Sequence, residues 1–331
     1  MIDPILLAAI ALIAIALIFD FTNGFHDAAN SIATVVATKT LTPLQAVIMA
    51  AFFNFVIMFF ITFKVAATVG KGIVDPSSVT LFVIFGCLAG AIVWNLITWY
   101  YGMPTSSSHA LIGALVGAAV TANGWDVVIE AGLYKTMAFI IAAPLLGFAL
   151  GATINTIIRN IFHEYTPQQD KWFRRLQLAS AACYSMGHGA NDAQKTAGII
   201  FLILLASGII SSTDPIPRWA IWSSFVVMGL GTLAGGWRIV QTLGFKLTHL
   251  NPRQGFAAEG GGSIMLFGAS ALGIPVSTTQ TITGSILGTG ASESEPNVKW
   301  KKARDIMVAW ILTIPCSAIL GSAFYYIATH Y

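Results

Sequence analysis

Two polar motifs each occur twice in this chain, at nearly the same separation. Asn-Gly-Phe-His-Asp-Ala-Ala-Asn at 23–30 is followed 165 residues later by His-Gly-Ala-Asn-Asp-Ala-Gln-Lys at 188–195. Gly-Met-Pro-Thr-Ser-Ser-Ser-His at 102–109 is followed 171 residues later by Gly-Ile-Pro-Val-Ser-Thr-Thr-Gln at 273–280. The duplication predicts two related halves, each with an ionisable cluster and a Pro-Ser/Thr cluster.

The motifs lie among long apolar stretches, for example 5–19, 44–63 and 81–99. Hydrophobic residues make up 56% of the 331 residues and charged residues only 9%, whereas a soluble domain carries about 25% charged residues. Each stretch is close to the roughly 20 residues that a helix needs to cross a bilayer. A β-barrel would show short alternating segments instead. We therefore predict an all-α polytopic membrane protein.

Ten membrane crossings are predicted, five in each half. They are 5–38, 43–63, 79–100, 102–121 and 136–158, then 176–210, 218–240, 256–272, 273–290 and 306–328. The crossings at 5–38 and 176–210 are too long for a simple passage, and each contains the first motif near its middle. Interrupted helices at membrane depth are tolerated only where they face protein or a wet cavity. We expect broken helices, with hairpins at the Pro-Ser/Thr motifs.

The distribution of charge predicts how the halves are oriented. The polar segment 159–175 joins the first repeat, 1–158, to the second, 176–331, and we place it in the cytoplasm. Alternating outward from it puts 12 of the 17 Lys and Arg residues on the same side and four on the other, as the positive-inside rule requires. Five crossings per half would invert the second half relative to the first, which is the architecture of many secondary transporters.

Asp27 and Asp192 occupy equivalent places in the two halves. A carboxylate at membrane depth costs roughly 2.5–3.5 kcal/mol, so it persists only if a cation, a proton or Lys195 compensates its charge. The alternative is an Asp–Lys pair with Asn hydrogen bonds that merely holds helices together; recurrence in both halves favours function. The candidate cation-coupling and proton-coupling residues are Asp20, His26, Asp27, His188, Asn191 and Asp192.

Two of these assignments carry further alternatives, and Glu259 is considered beside them. Asp20 is either a second carboxylate at the site or a helix cap after a break. His188 and Asp192 have the i, i+4 spacing of metal ligands, but the adjacent His26 and Asp27 lack it, so we expect no dedicated metal site. Glu259, at the start of a crossing, is interpreted as an interfacial residue.

Pro104 and Pro275 each precede three hydroxyl residues. Proline followed by Ser or Thr is typical of a helix start, where free N–H groups and the positive end of the helix dipole form an anion site. Hydroxyl groups would add hydrogen-bond donors for a tetrahedral oxyanion, although ordinary hydrogen bonding between helices is the alternative. The candidate anion-binding residues are Asn23, Asn30, Ser106, Ser107, Ser108, Lys195, Ser277, Thr278 and Thr279.

An oxyanion beside Asp27 and Asp192 would be repelled in a site of low dielectric constant. Binding a cation at the same time, or protonating the carboxylates, removes that repulsion. Joint binding of an anion and a cation is the physical requirement for symport. A proton, a sodium ion or a divalent metal would each satisfy it.

At these motifs the chain resembles the inorganic phosphate transporter (Pit) family, along essentially its whole length. The segment 20–30 is similar to the signature of bacterial members, and the other three motifs match in order. The resemblance implies an inverted-repeat symporter that imports inorganic phosphate, alone or as a metal–phosphate complex. It also implies a multi-pass homodimer in the inner cell membrane, with lipid around it, no enzymatic activity, no cofactor beyond the co-transported cation and no nucleic-acid partner.

The residues that the resemblance assigns to the site are Asp27, Asn30, Asp192, 106–108 and 277–279. His26 is similar to the bacterial type thought to use protons, whereas sodium-coupled members tend to have Asn there, so we expect proton coupling. Gln280 departs from the family, in which His is common. The alternatives are a sodium-coupled phosphate symporter, a sulfate or other oxyanion carrier and, more distantly, an intramembrane metal-dependent phosphohydrolase that uses His188 and Asp192.

Overall fold

Twelve α-helices form most of the protein in the computed structural model, which describes residues 3–162 and 165–331. Apart from one isolated bridge between Val74 and Val128, no β-pairing is present in these ranges, so the all-α prediction is confirmed. The helices are α1 (Pro4–Ala37), α2 (Pro43–Val56), α3 (Lys64–Lys71), α4 (Leu81–Tyr100), α5 (Ser107–Asn123), α6 (Glu130–Ile161), α7 (Pro167–Ala206), α8 (Arg218–Ala234), α9 (Trp237–Phe245), α10 (Pro252–Ala271), α11 (Thr278–Ala291) and α12 (Trp300–His330).

The order of elements in α1–α6 recurs in α7–α12. Each series has a long helix, a bent pair, a helix of 20 residues, a shorter helix and a final helix of 32 or 31 residues. The bend is 85° between the segments of the first pair, Pro43–Phe59 and Lys64–Lys71, and 72° between α8 and α9. The internal repeat predicted from the motifs is therefore confirmed.

The two series of helices are interlaced rather than stacked side by side. The last helix of each series packs on the hairpin of the other: α6 lies against α10 and α11, and α12 lies against α4 and α5. The first helices cross over in the same way, α1 to α8 and α9, and α7 to α2 and α3. Neither series encloses a core alone, so a site between them needs both.

Many large apolar side chains lie on the outer surface, although others form a buried core, and a cluster of charged and polar side chains lies in the interior. Leu7, Ile141 and Ile311 are more than half exposed, whereas Asp27 and Lys195 are at most 2% exposed. An apolar surface of this extent indicates contact with lipid.

Four helices, α1, α4, α6 and α12, are long and apolar enough to cross a membrane, and six spans result if each bent pair counts as one. Helices α5 and α11 have 17 and 14 residues, or about 25 and 21 Å at 1.5 Å per residue, short of the roughly 30 Å hydrocarbon core. They are the returning arms of hairpins with α4 and α10. The count of ten full crossings stays a prediction.

Two expectations about continuity are corrected. The long crossings are not interrupted at the first motif, because α1 and α7 run unbroken through it. Most of the motif's buried polar side chains are hydrogen-bonded to other helices, and the backbone of α1 and α7 stays helical. The segment 159–175 is mostly helical rather than a polar loop. Helix α6 continues to Ile161, and α7 begins at Pro167 behind a Thr166–Gln169 capping box.

Close approach of α11 to α6 generates a stability prediction. A Cβ added to Gly288 would lie 2.1 Å from the Phe148 carbonyl oxygen, whereas one added to Gly268 would meet nothing within 4 Å. We expect Gly288→Ala to destabilise the protein by about 1–3 kcal/mol through overpacking. Gly268→Ala should be neutral or stabilising by up to about 1 kcal/mol, because Ala favours a helix more than Gly does.

Thermal unfolding of the purified protein in detergent, followed by tryptophan fluorescence, measures both variants. Equal melting temperatures for the two variants would contradict the packing described for α6 and α11.

Candidate functional site

The first motif and its repeat lie on the inward faces of α1 and α7. Both have the spacing i, i+3, i+4, i+7, which places four side chains on one face of a helix. All eight side chains are buried, with exposed fractions of 2% or less. They are Asn23, His26, Asp27 and Asn30 on α1, and His188, Asn191, Asp192 and Lys195 on α7.

Asp27 and Asp192 meet at the centre of the protein. One carboxylate oxygen of each, together with a ring nitrogen of His188, lie within 4.8 Å of one another. His188 Nε2 is 3.1 Å from Asp192 Oδ2. Two buried carboxylates this close repel each other unless a positive charge lies between or beside them. Two oxygens and one nitrogen could ligate a cation, a combination across helices that sequence spacing alone did not indicate.

Lys195 supplies one of the compensating charges. Its Nζ donates to Asp192 Oδ1, to Ser108 Oγ and, at 3.1 Å, to the Val276 carbonyl oxygen. The ammonium group therefore ties α7 to both hairpins. Its single charge can neutralise only one of the two aspartates.

The hydroxyl residues of both hairpins point into the same buried space. Ser107 Oγ lies within hydrogen-bond distance of Asn23 Oδ1, at 2.6 Å, and of Asp27 Oδ2, at 2.7 Å, and its one hydroxyl hydrogen can be donated to either oxygen. Thr278 Oγ1 donates to Asp192 Oδ2 at 2.8 Å, and Thr279 Oγ1 to Asp27 Oδ1 at 3.3 Å. Each aspartate thus accepts hydrogen bonds from groups that are also suited to an oxyanion.

Helices α5 and α11 begin at the hydroxyl motifs, so two helix N-termini meet at this space. Ser106 and Ser277 are the N-caps: each Oγ accepts from a backbone N–H three residues later, at 3.2 and 3.1 Å. Their acceptor role is structural, and their hydroxyl hydrogens remain as donors. Asn30 Nδ2 donates to Thr279 Oγ1 at 2.9 Å and to Thr278 Oγ1 at 3.2 Å, joining α1 to the second hairpin.

Each aspartate also has an imidazole neighbour. His26 Nδ1 lies 2.7 Å from Asp27 Oδ1, and its Nε2 lies 3.2 Å from Thr98 Oγ1 on α4. His188 Nδ1 lies 3.2 Å from Asn54 Oδ1 on α2. Neither Thr98 nor Asn54 lies in a motif, and sequence analysis missed both.

Two other predicted residues have different surroundings from those expected. Asn191 binds the backbone of the second hairpin: its Nδ2 donates to the Ile274 carbonyl oxygen at 3.0 Å, and its Oδ1 accepts from the Val276 N–H at 3.2 Å. Asp20 lies two turns before Asp27 on an unbroken helix, which excludes the cap alternative. Its buried carboxylate has no hydrogen-bond partner among the described residues.

Glu259 is buried rather than interfacial, with an exposed fraction of 1%. Its carboxylate accepts from Thr34 Oγ1 at 2.5 Å, from Gln177 Nε2 at 3.0 Å and from Ser180 Oγ. Thr34 is one turn after Asn30 on α1, so this second acidic centre lies close to the first along the helix. The surrounding Gly-rich sequence has no periodicity that would have indicated burial.

A model of the phosphate transporter family matches residues 23–169 and 162–321. The chain belongs to the phosphate transporter family. The two matches correspond to the two helix series, and the resemblance drawn from the motifs is confirmed. Since this is a family of transporters, the expectation that the protein is not an enzyme is confirmed too, and the phosphohydrolase alternative is withdrawn.

Several relatives in this family match over almost their full length. A probable low-affinity inorganic phosphate transporter of Rhizobium meliloti (strain 1021) is 51% identical over 320 residues, 96% of each chain. A protein of the same description from Bacillus subtilis (strain 168) is 44% identical over 328 residues, 98% of each chain. A solved structure described as the sodium-dependent phosphate transporter shares the fold, with a TM-score of 0.86 at 23% identity over 97% of this chain and 99% of that one.

The buried Asp192–Lys195 pair generates a stability prediction. Removing one partner of a buried pair leaves an uncompensated charge and costs about 3–5 kcal/mol. We expect Asp192→Asn and Lys195→Met each to lower the unfolding free energy strongly, and the double variant to lose less than the sum of the two.

Denaturant unfolding in detergent measures this double-mutant cycle. The matched control is Asp170→Asn, which removes one partner of the partly exposed Asp170–Arg174 pair on the same helix and should cost about 1 kcal/mol or less. Additive effects of Asp192→Asn and Lys195→Met would show that the two charges are not coupled.

Proposed function

We propose that this protein imports inorganic phosphate together with a cation, by alternating access across the inner cell membrane. One observation carries the proposal: the hydroxyl-bearing N-termini of α5 and α11 meet at the buried pair Asp27 and Asp192, and Lys195 compensates the charge of only one of these aspartates. The descriptions of its relatives as inorganic phosphate transporters support phosphate as the solute.

The hairpin hydroxyls and Lys195 would bind the anion. Ser107, Thr278 and Thr279 donate to the two aspartates, at 2.7 to 3.3 Å. A phosphate that enters takes over these donors, together with the free N–H groups of the two helix starts. The aspartates then lose these hydrogen bonds at the moment when the phosphate brings further negative charge beside them.

The cation compensates for that loss, which couples its binding to that of phosphate. The group formed by Asp27, His188 and Asp192 is the cation site we propose. Proton coupling is favoured because each aspartate contacts an imidazole, the side chain that titrates nearest neutral pH. Sodium, or a divalent metal that arrives with the phosphate, is the alternative at the same group.

Alternating access follows from the inverted orientation that we propose for the repeats 1–158 and 176–331. The charge distribution places the segment 238–253 in the cytoplasm, and this segment lies beside the turn between α4 and α5. The turn between α10 and α11 lies beside Lys64 and then faces the outside. One site reached through two opposite hairpins needs no large movement of the bound ions. A homodimer surrounded by lipid remains the predicted assembly.

Uptake of labelled phosphate into proteoliposomes, with proton and sodium gradients imposed separately, tests the function. We expect uptake with the proton gradient. Asp27→Asn and Asp192→Asn should each reduce coupled uptake to less than about a tenth of wild type, because either change removes one of the two buried charges that require a cation. Exposed Asp126→Asn is the matched control and should transport normally.

Absence of phosphate uptake under both gradients would refute the proposal. Normal uptake by either site variant would remove that aspartate from the coupling site.

Sulfate is the solute of the second candidate function, because helix N-termini and hydroxyls bind either oxyanion. A protonated phosphate can also donate a hydrogen bond to Asp27 or Asp192, and sulfate cannot. We expect excess sulfate to leave phosphate uptake nearly unchanged. Strong competition by sulfate would favour a general oxyanion carrier.

A further inference from the structure

The two short helices that follow the bends contact the hairpin turns in the same way. Helix α9 has Arg238 in its first turn and Thr242 four residues later, and α3 has Lys64 and Thr68 at the same spacing. Each pair binds the turn of one hairpin. These contacts recur in both helix series although their basic and threonine residues belong to neither repeated sequence motif.

The first contact joins α9 to the turn between α4 and α5. Arg238 Nη1 donates to the Tyr100 carbonyl oxygen, and Thr242 Oγ1 donates to the Gly102 carbonyl oxygen at 2.8 Å. The guanidinium group also lies over the Tyr100 ring, 4.8 Å from its centroid. We name this contact the inner latch, because Arg238 lies in the segment that the charge distribution assigns to the cytoplasm.

The second contact joins α3 to the turn between α10 and α11. Lys64 Nζ donates to the Ala271 carbonyl oxygen at 3.0 Å, and Thr68 Oγ1 donates to the Gly273 carbonyl oxygen at 2.7 Å. We name this contact the outer latch. Its acceptors are 171 residues after those of the inner latch, the same offset that relates the two Pro-Ser/Thr motifs.

Glycine is required at both turns. Gly102 and Gly273 have φ values of +62° and +67°, a left-handed conformation that side chains with a Cβ rarely adopt. A Cβ on Gly102 would lie 3.2 Å from the Arg238 carbonyl oxygen, and one on Gly273 would lie 2.9 Å from Lys64 Cβ. Each turn is therefore in close contact with the basic residue that binds its carbonyl group.

The electrostatics of the latches suit a contact that can open. The carbonyl groups at the end of a helix have no partner within it and carry partial negative charge, which a basic side chain satisfies. Lys64 and Arg238 are both exposed, so either can release its carbonyl acceptor and bind an anion instead. At the inner turn an open cavity of about 350 Å³ is lined by Tyr100, Arg238 and Lys246, among others.

Both short helices begin against the helices that carry the ion site. Gln194 Oε1, next to Lys195 on α7, accepts from the N–H groups of Val65 and Ala66 at 3.1 and 3.2 Å. At the start of α9, a Cβ on Gly236 would lie 2.9 Å from the carbonyl oxygen of His26, next to Asp27. A shift of α1 or α7 on ion binding would therefore move the helix that holds a latch.

We propose that Arg238 and Lys64 are gating residues for transport, Arg238 for the inner face and Lys64 for the outer face. The proposal rests on the proposed function. Each latch holds a turn whose chain leads, four residues later, to the N-cap serine of the hydroxyl cluster, Ser106 or Ser277. Releasing one turn opens the site to one face, and the freed cationic side chain meets the phosphate that passes.

Side-selective labelling of single cysteines tests the gating roles. The reporters are Thr105→Cys and Val276→Cys, equivalent buried positions in the two turns. The Thr105 hydroxyl has no hydrogen-bond partner within residues 3–162 and 165–331, so replacing it breaks no bond observed there. Both are placed in a chain whose three native cysteines are replaced by alanine. A charged, membrane-impermeant thiol reagent is applied to inside-out and right-side-out vesicles.

Opening the inner latch with Arg238→Met plus Thr242→Val should raise labelling of Thr105→Cys from the cytoplasmic side by about tenfold, because two hydrogen bonds that stabilise only the closed turn are lost. Labelling of Val276→Cys from outside should not rise. The outer-latch variant, Lys64→Met plus Thr68→Val, should give the reverse pattern. Arg238→Lys with Thr242 intact should restore low labelling.

Equal labelling of both reporters in either latch variant would overturn the gating roles, as would no change in either. Phosphate uptake is measured on the same vesicles to separate the two proposals. If phosphate uptake is normal but labelling of the reporters does not respond to the latch variants, only the gating roles are contradicted. If labelling responds but the wild-type protein takes up no phosphate, phosphate transport is contradicted and the gating roles stand.

Discussion

The rest of the structure depends on the compensation of two carboxylates buried away from water. Asp27 and Asp192 have exposed fractions of 2% and 0%, and an uncompensated charge in such a place is unfavourable by several kcal/mol. Lys195, two imidazoles, three hydroxyls and the ends of two hairpins all converge on them. Each helix that enters the centre contributes a group that one of the aspartates requires.

Interlacing of the two helix series explains how that convergence is possible. The aspartates come from α1 and α7 and the hydroxyls from α5 and α11. The turns of the two hairpins are bound by α9 and α3. Because α6 and α12 each pack on the hairpin of the other series, a movement in one half changes the support of the other.

Two of the buried acidic centres beside α1, those of Asp27 and Glu259, differ in what surrounds them. The Asp27 centre combines donors that a solute can displace with a lysine from another helix. The Glu259 carboxylate accepts three hydrogen bonds from neutral side chains, on α1 and α7, and has no lysine or arginine partner among the described residues. Neutral donors hold Glu259 where α1, α7 and α10 meet, so this contact ties the three helices together next to the Asp27–Asp192 centre.

The sequence by itself determined the membrane class, the duplication and the four polar clusters, because low charge, a repeated motif and helical spacing are local properties. It also placed the starts of α5 and α11, since Pro and Ser act within one turn. Only the tertiary structure decided that Asp27 meets His188 and Asp192, that the helix breaks lie after α2 and α8 rather than inside the motifs, and that Glu259 is buried. These depend on how interlaced helices bring distant side chains together: the partners of His26 and Asp27 on other helices lie 72 to 252 residues away along the chain, and no local pattern records such partners.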